Sequence, residues 1–335
     1  MKAYIKHISY YLPTATLTNA ELIDKFPEWS VEKVTNKLGI KQRHISNENE
    51  TSGDLAIKAA EKLFSETNIK RESIDFILLC TQSPDYYLPT TACLIQDKLG
   101  IPTSAGALDF NQGCSGYVYG LSLAKGLIAA GIAKNILFLT AETYSKYIHA
   151  NDKSNLSIFG DAASATIISR EGFAEIGDFV LGTDGSGADN LIVKTGGSKF
   201  PEATDEVITD EGGFLQSSDH LYMNGSNVFN FTLSAVPELI KSIMLKSDVV
   251  MDDVDFFVFH QANHYMLNVL RKVCKINEEK FYVNMEDTGN TVSSTIPIAL
   301  TRLLHDKNVI NGKGNVIIAG FGVGYSWGSC ILKFN

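Results

Sequence analysis

The chain lacks any apolar run approaching the ~20 residues that a membrane helix needs. Its start, Met1-Lys2-Ala3-Tyr4-Ile5-Lys6-His7-Ile8-Ser9-Tyr10, alternates like a strand and has no apolar core of a signal peptide. A cytoplasmic address, with no membrane partner, is expected. There is little cysteine: five residues, Cys80, Cys93, Cys114, Cys274 and Cys330, with no C-x-x-C pair. An odd, scattered set argues against a disulfide framework or a structural zinc site. Cys80, Cys93, Cys274 and Cys330 sit in apolar stretches and read as small buried hydrophobes. There is no excess of positive charge, because the net charge is −9, which argues against nucleic-acid binding over a broad surface. There is no low-complexity tract. What remains is a globular composition, 44% hydrophobic and 20% charged, in 335 residues, enough for two fused halves with sizeable cores.

Strand-like and helix-like segments alternate. Ile74-Asp75-Phe76-Ile77-Leu78-Leu79-Cys80 and Val254-Asp255-Phe256-Phe257-Val258-Phe259-His260 are buried-strand patterns. Each precedes a helical stretch, Thr91 to Leu99 and Tyr265 to Val273. Two further strands, Leu108 to Gln112 and Phe281 to Met285, each run into a turn and a helix, about Ser115 to Ala130 and Val292 to Leu304. Ile158 to Ile168 and Ile317 to Leu332 both read as strand, small-residue turn, strand. The shared order predicts an α/β fold with internal duplication, divided into residues 1–175 and 176–335. The stretch from about Gly182 to Ser226, including Asp210-Glu211-Gly212-Gly213, is rich in Gly, Asp, Ser and Thr and reads as the crossing between the halves.

Three residues carry chemistry. Cys114 sits in Gly113-Cys114-Ser115-Gly116, between a strand and a helix. A thiol there faces the positive end of a helix dipole, which favours the nucleophilic thiolate. His260 ends a strand and Asn290 lies in Gly289-Asn290-Thr291. An amide cannot take a proton, so Asn290 suits stabilisation of an oxyanion or enolate rather than base catalysis. The duplication puts Cys114 and Asn290 at equivalent turns, with His260 at a strand carboxyl end, where sites in such sheets form. Each feature alone is also an ordinary structural one: a buried thiol, a core histidine, an Asn turn. His260 and His264 are spaced i, i+4, but no further ligands join them, so no metal is implied. Gly320-Phe321-Gly322-Val323-Gly324 is followed by a strand rather than a helix, which argues against a dinucleotide site.

Together these segments resemble the β-ketoacyl-acyl-carrier-protein synthase III family of the thiolase-like superfamily. The resemblance rests on Asn19-Ala20-Glu21-Leu22, Leu38-Gly39-Ile40-Lys41-Gln42-Arg43-His44, Pro89-Thr90-Thr91-Ala92-Cys93-Leu94-Ile95-Gln96, Gly113-Cys114-Ser115-Gly116, Phe159-Gly160-Asp161, Met223-Asn224-Gly225, His260-Gln261-Ala262-Asn263, Gly289-Asn290-Thr291 and Trp327-Gly328-Ser329, in family order. It implies a five-layer αβαβα fold and a homodimer. It implies acyl transfer from acyl-coenzyme A to Cys114, then decarboxylative condensation with malonyl-acyl carrier protein in fatty-acid synthesis or a related pathway. No cofactor is implied beyond coenzyme A and phosphopantetheine-linked substrates. His260 and Asn290 match the decarboxylation pair, and Asn263 a residue ordering the site around His260. The N–H of Cys114 and one from the Phe321–Gly324 loop match the acyl-transfer oxyanion hole. Lys37 and Lys153 match basic residues at the coenzyme A entrance, and Gly225 and Phe229 the pantetheine tunnel wall. Lys41, Arg271, Lys272 and Lys275 are further candidates for a basic rim that meets an acidic carrier.

The chain departs from the family pattern in places. Lys33 stands where a Trp stacks on adenine; Trp29, four residues earlier, replaces it only if the helix is longer. Tyr265 stands where an Arg often meets the carrier. Leu88 stands where a Phe often reaches into the partner subunit's acyl pocket, which leaves room for a longer or differently shaped primer. Val323 lies in a loop usually richer in glycine. Two other readings compete: an acyltransferase to a non-malonyl acceptor or a hydroxymethylglutaryl-type synthase, and a non-catalytic partner subunit. The hydroxymethylglutaryl type needs a Glu near the nucleophile, and Cys80-Thr81-Gln82-Ser83-Pro84-Asp85 has none. The presence of Cys114, His260 and Asn290 argues against the non-catalytic one.

Overall fold

Two apolar patterns build the molecule. Short runs with both faces apolar, such as Phe76-Ile77-Leu78-Leu79-Cys80, become strands covered on both sides. Longer runs with one apolar face become the helices that cover them. The computed structural model describes residues 1–209, 215–305 and 314–334.

The first half runs β1 (Tyr4–Tyr11), α1 (Val31–Leu38), α2 (Ser52–Glu66), β2 (Phe76–Cys80), α3 (Thr91–Lys98), β3 (Gly106–Phe110), α4 (Gly116–Ala129), β4 (Asn135–Glu142) and β5 (Ala162–Ser169). The second runs β6 (Ala174–Thr183), α5 (Gly225–Lys246), β7 (Phe256–Phe259), α6 (His264–Val273), β8 (Phe281–Tyr282), α7 (Thr295–His305), β9 (Gly314–Gly322) and β10 (Ser326–Phe334). The strands order as β8-β7-β9-β10-β6-β1-β5-β4-β2-β3, which reads the same outward from the β6/β1 junction. In the first half β1 is antiparallel to β5 and β5 to β4, while β4, β2 and β3 run parallel. The second half repeats this plan. The two five-stranded units meet edge to edge where β1 pairs with β6, Tyr4 opposite Glu175 and Ile5 opposite Ala174.

Three cores separate five layers. Leu55, Ala59 and Leu63 of α2 with Ile95 of α3 cover one face of the first unit at Ile77, Leu79 and Leu137. Its other face, at Leu78 and Phe138, packs on α4 and α7, which also bury Ile318 and Leu332 of the second unit. The far face of that unit, at Phe257, Ile317 and Ile331, carries α5 and α6. Alternate residues of one strand thus enter different cores. Helix α5 is 22 residues and apolar enough, by length and composition, to cross a membrane. The reading of no such run therefore needs correction. Val228, Thr232, Val236, Leu239, Ile240 and Ile243 recur at helical spacing and turn inward, so α5 is a sheet-covering helix.

Three expectations change. Residues 182–226 are not the crossing between halves, which is the turn between β5 and β6; they connect β6 to α5 within the second half. Asp210-Glu211-Gly212-Gly213 lies outside the described residues. Ile158 to Ile168 is not strand, turn, strand: only β5 is a strand, and β4, missed in the sequence, is its hairpin partner. Phe159 forms an isolated bridge to Asn290 instead. A Cβ on Gly160 would lie 2.4 Å from the Thr288 carbonyl oxygen, so this backbone packs directly on the turn of Asn290.

The middle layer makes a paired prediction. A Cβ at Gly120 of α4 would lie 2.0 Å from the Phe138 ring, whereas one at Gly126 meets nothing within 4 Å. Gly120→Ala should cost about 1–3 kcal/mol of overpacking. Gly126→Ala should gain up to about 1 kcal/mol of helix stability. Denaturant unfolding of both variants, with opposite shifts in midpoint, checks this.

Candidate active site

The nucleophile turn is pressed between α4 and β9. Ser115 precedes α4 but does not cap it; its hydroxyl meets Ser326 Oγ at 2.7 Å. The first N–H groups of α4 are thus free of a side-chain cap. From the other side β9 lies directly on the turn: Cβ atoms at Gly320 and Gly322 would sit 2.5 Å from the Cys114 carbonyl oxygen and 2.9 Å from its Sγ. Glycine is required there for close approach, not for φ. The backbone N–H groups of Cys114 and Val323 both bond the sulfur in its charged form. Val323 belongs to the loop expected to supply the second acyl-transfer donor.

Burial decides the charge states. Cys114 is 6% exposed. Desolvation, with the charge of Glu142 adding to it, pushes its thiol up to about 12. Burial opposes the thiolate that the helix end favours. His260 is 2% exposed, and burial pushes it down to about 3. Burial thus favours the neutral forms of both the thiol and the imidazole at rest.

One turn orients both partners. Backbone bonds zip it to residues 158–160: Asn290 N–H donates to the Ile158 carbonyl at 2.9 Å and Gly160 N–H to the Asn290 carbonyl at 3.0 Å. Val292 has φ 53°, an outlier for a β-branched residue. This conformation points its N–H at Asn290 Oδ1, 2.9 Å away. With Oδ1 occupied, the amide must present Nδ2 elsewhere. Thr295 Oγ1 donates to the Val292 carbonyl at 3.0 Å and meets His260 Nδ1 at 2.8 Å. A hydroxyl that has given its proton can only accept, so Nδ1 carries the ring hydrogen and Nε2 is bare. Among the described residues Asn290 Nδ2 and His260 Nε2 make no hydrogen bond, and neither is a fully sealed atom, so both are free to donate to or accept from a ligand. His260 also extends the β7–β9 ladder through Ala319 and meets the edge of Phe321, 5.9 Å between ring centroids.

A cavity of 720 Å³ lies among α1, the start of α5 and the start of α6; Cys114, His260 and Asn290 do not line it. Lys33, Lys37, Gly225, Phe229 and Asn263 line it, as does Trp29, which lies ahead of α1 and reaches it without a longer helix. Lys153 bonds Glu28 at 2.8 Å and stands 5.8 Å from the Trp29 ring centroid. Tyr265 lines the same mouth and packs on Phe229 at 5.7 Å. Asn263 spends its oxygen capping α6 at Met266 N–H, so the ordering of His260 falls to Thr295, which sequence reasoning missed. Phe321 is buried against His260 rather than open to a ligand. Leu88 is 82% exposed on the strap Tyr86-Tyr87-Leu88, outside its own chain's cavity. Of the basic candidates, Lys41 pairs with Glu286 and Arg271 with Glu278. A glutamate does approach the nucleophile, Glu142 of β4, though both its oxygens are held by protein groups. His264 packs its Cβ under Gly39, and no cluster of three metal-binding side chains occurs among the described residues.

Comparison with known proteins agrees with this geometry. Models of the C-terminal and N-terminal parts of 3-oxoacyl-[acyl-carrier-protein] synthase III match residues 244–334 and 108–185. The beta-ketoacyl-[acyl-carrier-protein] synthase III of Clostridium perfringens is 36% identical over 324 residues, 96% of each chain. The chain belongs to the 3-oxoacyl-acyl-carrier-protein synthase III family. Among solved members, one 3-oxoacyl-(acyl-carrier-protein) synthase III is 48% identical, superposes with a TM-score of 0.96 and is covered completely in both directions. A synthase from Burkholderia xenovorans LB400 is 36% identical with a TM-score of 0.91, over 100% of this chain and 95% of that one. The family's thiolase-like five-layer architecture is thus the fold seen here.

Two outcomes follow. Gly322→Ala should leave the fold intact yet slow modification of Cys114 by a thiol reagent about tenfold or more, because the new methyl group displaces the sulfur. The rate of that modification should rise with pH without an inflection near 6.5, since His260 stays neutral down to about 3. Labelling rates across pH 5–9 measure both.

Proposed function

We propose that this chain performs decarboxylative condensation of an acyl-coenzyme A primer with malonyl-acyl carrier protein. What supports the reading is the single turn that orients both Asn290 and His260 and packs on the nucleophile's turn, where a Cβ at Gly116 would lie 3.5 Å from Ser293 Cβ. The coenzyme would enter past Trp29, Lys37 and Lys153, with pantetheine along Gly225, Phe229 and Asn263. Cys114 attacks the thioester carbonyl and gives up its proton to solvent. Coenzyme A leaves as the thiolate and is protonated by solvent. The N–H groups of Cys114 and Val323 hold the tetrahedral oxyanion.

In the second half-reaction the malonyl thioester oxygen lies between Asn290 Nδ2–H and His260 Nε2–H, the neutral ring carrying its hydrogen on Nε2 once the Thr295 hydroxyl turns to Nδ1. Breaking the C–CO2 bond sends its electron pair into an enolate that these donors stabilise, and carbon dioxide departs. The carbanion carbon attacks the acyl carbonyl on Cys114. Collapse expels the Cys114 thiolate, which is reprotonated from solvent. All four steps use groups that are neutral at rest, so a dry site carries no unpaired charge between turnovers.

The reading includes a homodimer in the cytoplasm. Strand β3 is a free sheet edge, with Leu108 on it 42% exposed, and exposed edges invite pairing with a second copy. Leu123 and Leu181 are likewise 42% exposed. Leu88 would then reach the partner's acyl pocket and shape primer choice. Lys33, Lys37, Lys272 and Lys275, which make no ion pair among the described residues, are the cations left for an acidic carrier.

Incubation with a panel of acyl-coenzyme A thioesters, read by intact mass, tests the reading. Wild type should gain one acyl group and Cys114→Ala none. His260→Ala and Asn290→Ala should still acylate, while carbon dioxide release from malonyl-carrier protein falls by about a hundredfold or more. Normal release by both variants contradicts the assigned roles.

A further inference from the structure

Glu142, at the end of β4, is wholly buried and has no cationic partner among the described residues. One oxygen, Oε2, lies 3.0 Å from Gln82 N–H and 3.2 Å from Ser83 Oγ, both on the loop after β2. The other, Oε1, lies 2.9 Å from Ser293 Oγ, the neighbour of Val292 in the turn that orients Asn290 and His260. Ser293 also bonds the Cys80 thiol, and Cys80 Sγ lies 3.0 Å from the carbonyl oxygen of Gln112, two residues before Cys114. We propose that Glu142 is a positioning residue: as a neutral acid it clamps the Val292–Ser293 turn of the second half to the nucleophile's side of the site.

The proton count supports a neutral acid. With the carboxyl protonated, Glu142 donates from Oε1 to Ser293, Ser293 donates to Cys80, and Cys80 donates to the Gln112 carbonyl. Each hydrogen is used once, and Oε2 keeps its two donors. Ionised Glu142 would instead draw the Ser293 hydrogen to itself, and Cys80 would lose its donor. Burial, only partly offset by the Gln82, Ser293 and Ser83 donors, pushes Glu142 up to about 8. The titratable groups that face it are Cys80 on β2, Cys114 on the nucleophile turn, Tyr144 and Tyr147 after β4, and Asp161 ahead of β5. None of these is a base that would neutralise its anion. An ionised Glu142 also raises the Cys114 thiol, so ionisation works against the nucleophile as well as the clamp.

This inference rests on the proposed condensation for its turnover readout, but the thiol readout does not. The experiment compares wild type, Glu142→Ala and Glu142→Gln. It measures acyl transfer to Cys114, carbon dioxide release from malonyl-carrier protein, and the pH dependence of Cys114 alkylation by iodoacetamide. Glu142→Ala should lower carbon dioxide release about tenfold or more while acylation stays within about threefold. Glu142→Gln, which reproduces the neutral donor–acceptor pattern, should restore release to within about threefold of wild type. Wild-type release should decline above pH about 8, and the glutamine variant should lack that decline. The alkylation midpoint should shift to lower pH in Glu142→Gln, because the anion that raises the thiol is gone. Equal release by Glu142→Ala and wild type, a glutamine variant as poor as the alanine one, or an unshifted alkylation midpoint overturns the proposal. If wild type neither acylates nor releases carbon dioxide, the condensation reading fails, and the alkylation midpoint alone still decides whether Glu142 sets the thiol.

Discussion

The backbone of Val292 is the constraint on which the site depends. A left-handed β-branched residue costs about 1–3 kcal/mol, and it persists only where surroundings over-determine it. Here its N–H fixes the oxygen of Asn290 and its carbonyl fixes the hydroxyl that fixes His260. The turn is anchored from both sides, by the 158–160 backbone and by Ser293 on Glu142. Each such bond contributes about 1 kcal/mol, so the set offsets the strain. Without the left-handed residue the amide would be free to rotate, and the two donors would not face one point.

A second theme is water exclusion. Cys114, His260 and Glu142 are each driven toward their neutral forms by the same burial. A charge created there during reaction is met by fixed N–H groups rather than by solvent, which makes those groups effective. The glycines of β9 serve this end. They let a strand lie against the nucleophile turn with no side chain between, which helps to bury the sulfur.

Much of this was legible in the sequence because it rests on local signals. The apolar runs of β2 and β7, the small residues around Cys114 and the Gly289-Asn290-Thr291 turn each announce a local backbone shape. Strand β4, Asn135-Ile136-Leu137-Phe138-Leu139-Thr140-Ala141-Glu142, is as apolar as β2, but its antiparallel partner β5 lies some twenty residues on, so no short turn marks the pair in the sequence. Ile158 and Phe159 read as strand from composition, yet their partner is a turn more than a hundred residues away. Thr295 and Glu142 had no signal at all: a threonine in a helix and a glutamate ending a strand gain their meaning only from what the fold sets opposite them. The burial that opposes the Cys114 thiolate was likewise invisible, since helix position is local and desolvation is not.

The most direct measurement is a crystal structure of the acyl-Cys114 protein with a non-decarboxylating malonyl thioester analogue. The account predicts that one thioester oxygen accepts bonds from both Asn290 Nδ2 and His260 Nε2, each about 3 Å away, with Val292 still left-handed. An oxygen contacted by neither side chain, or an Asn290 amide turned so that Oδ1 faces the ligand, would contradict it.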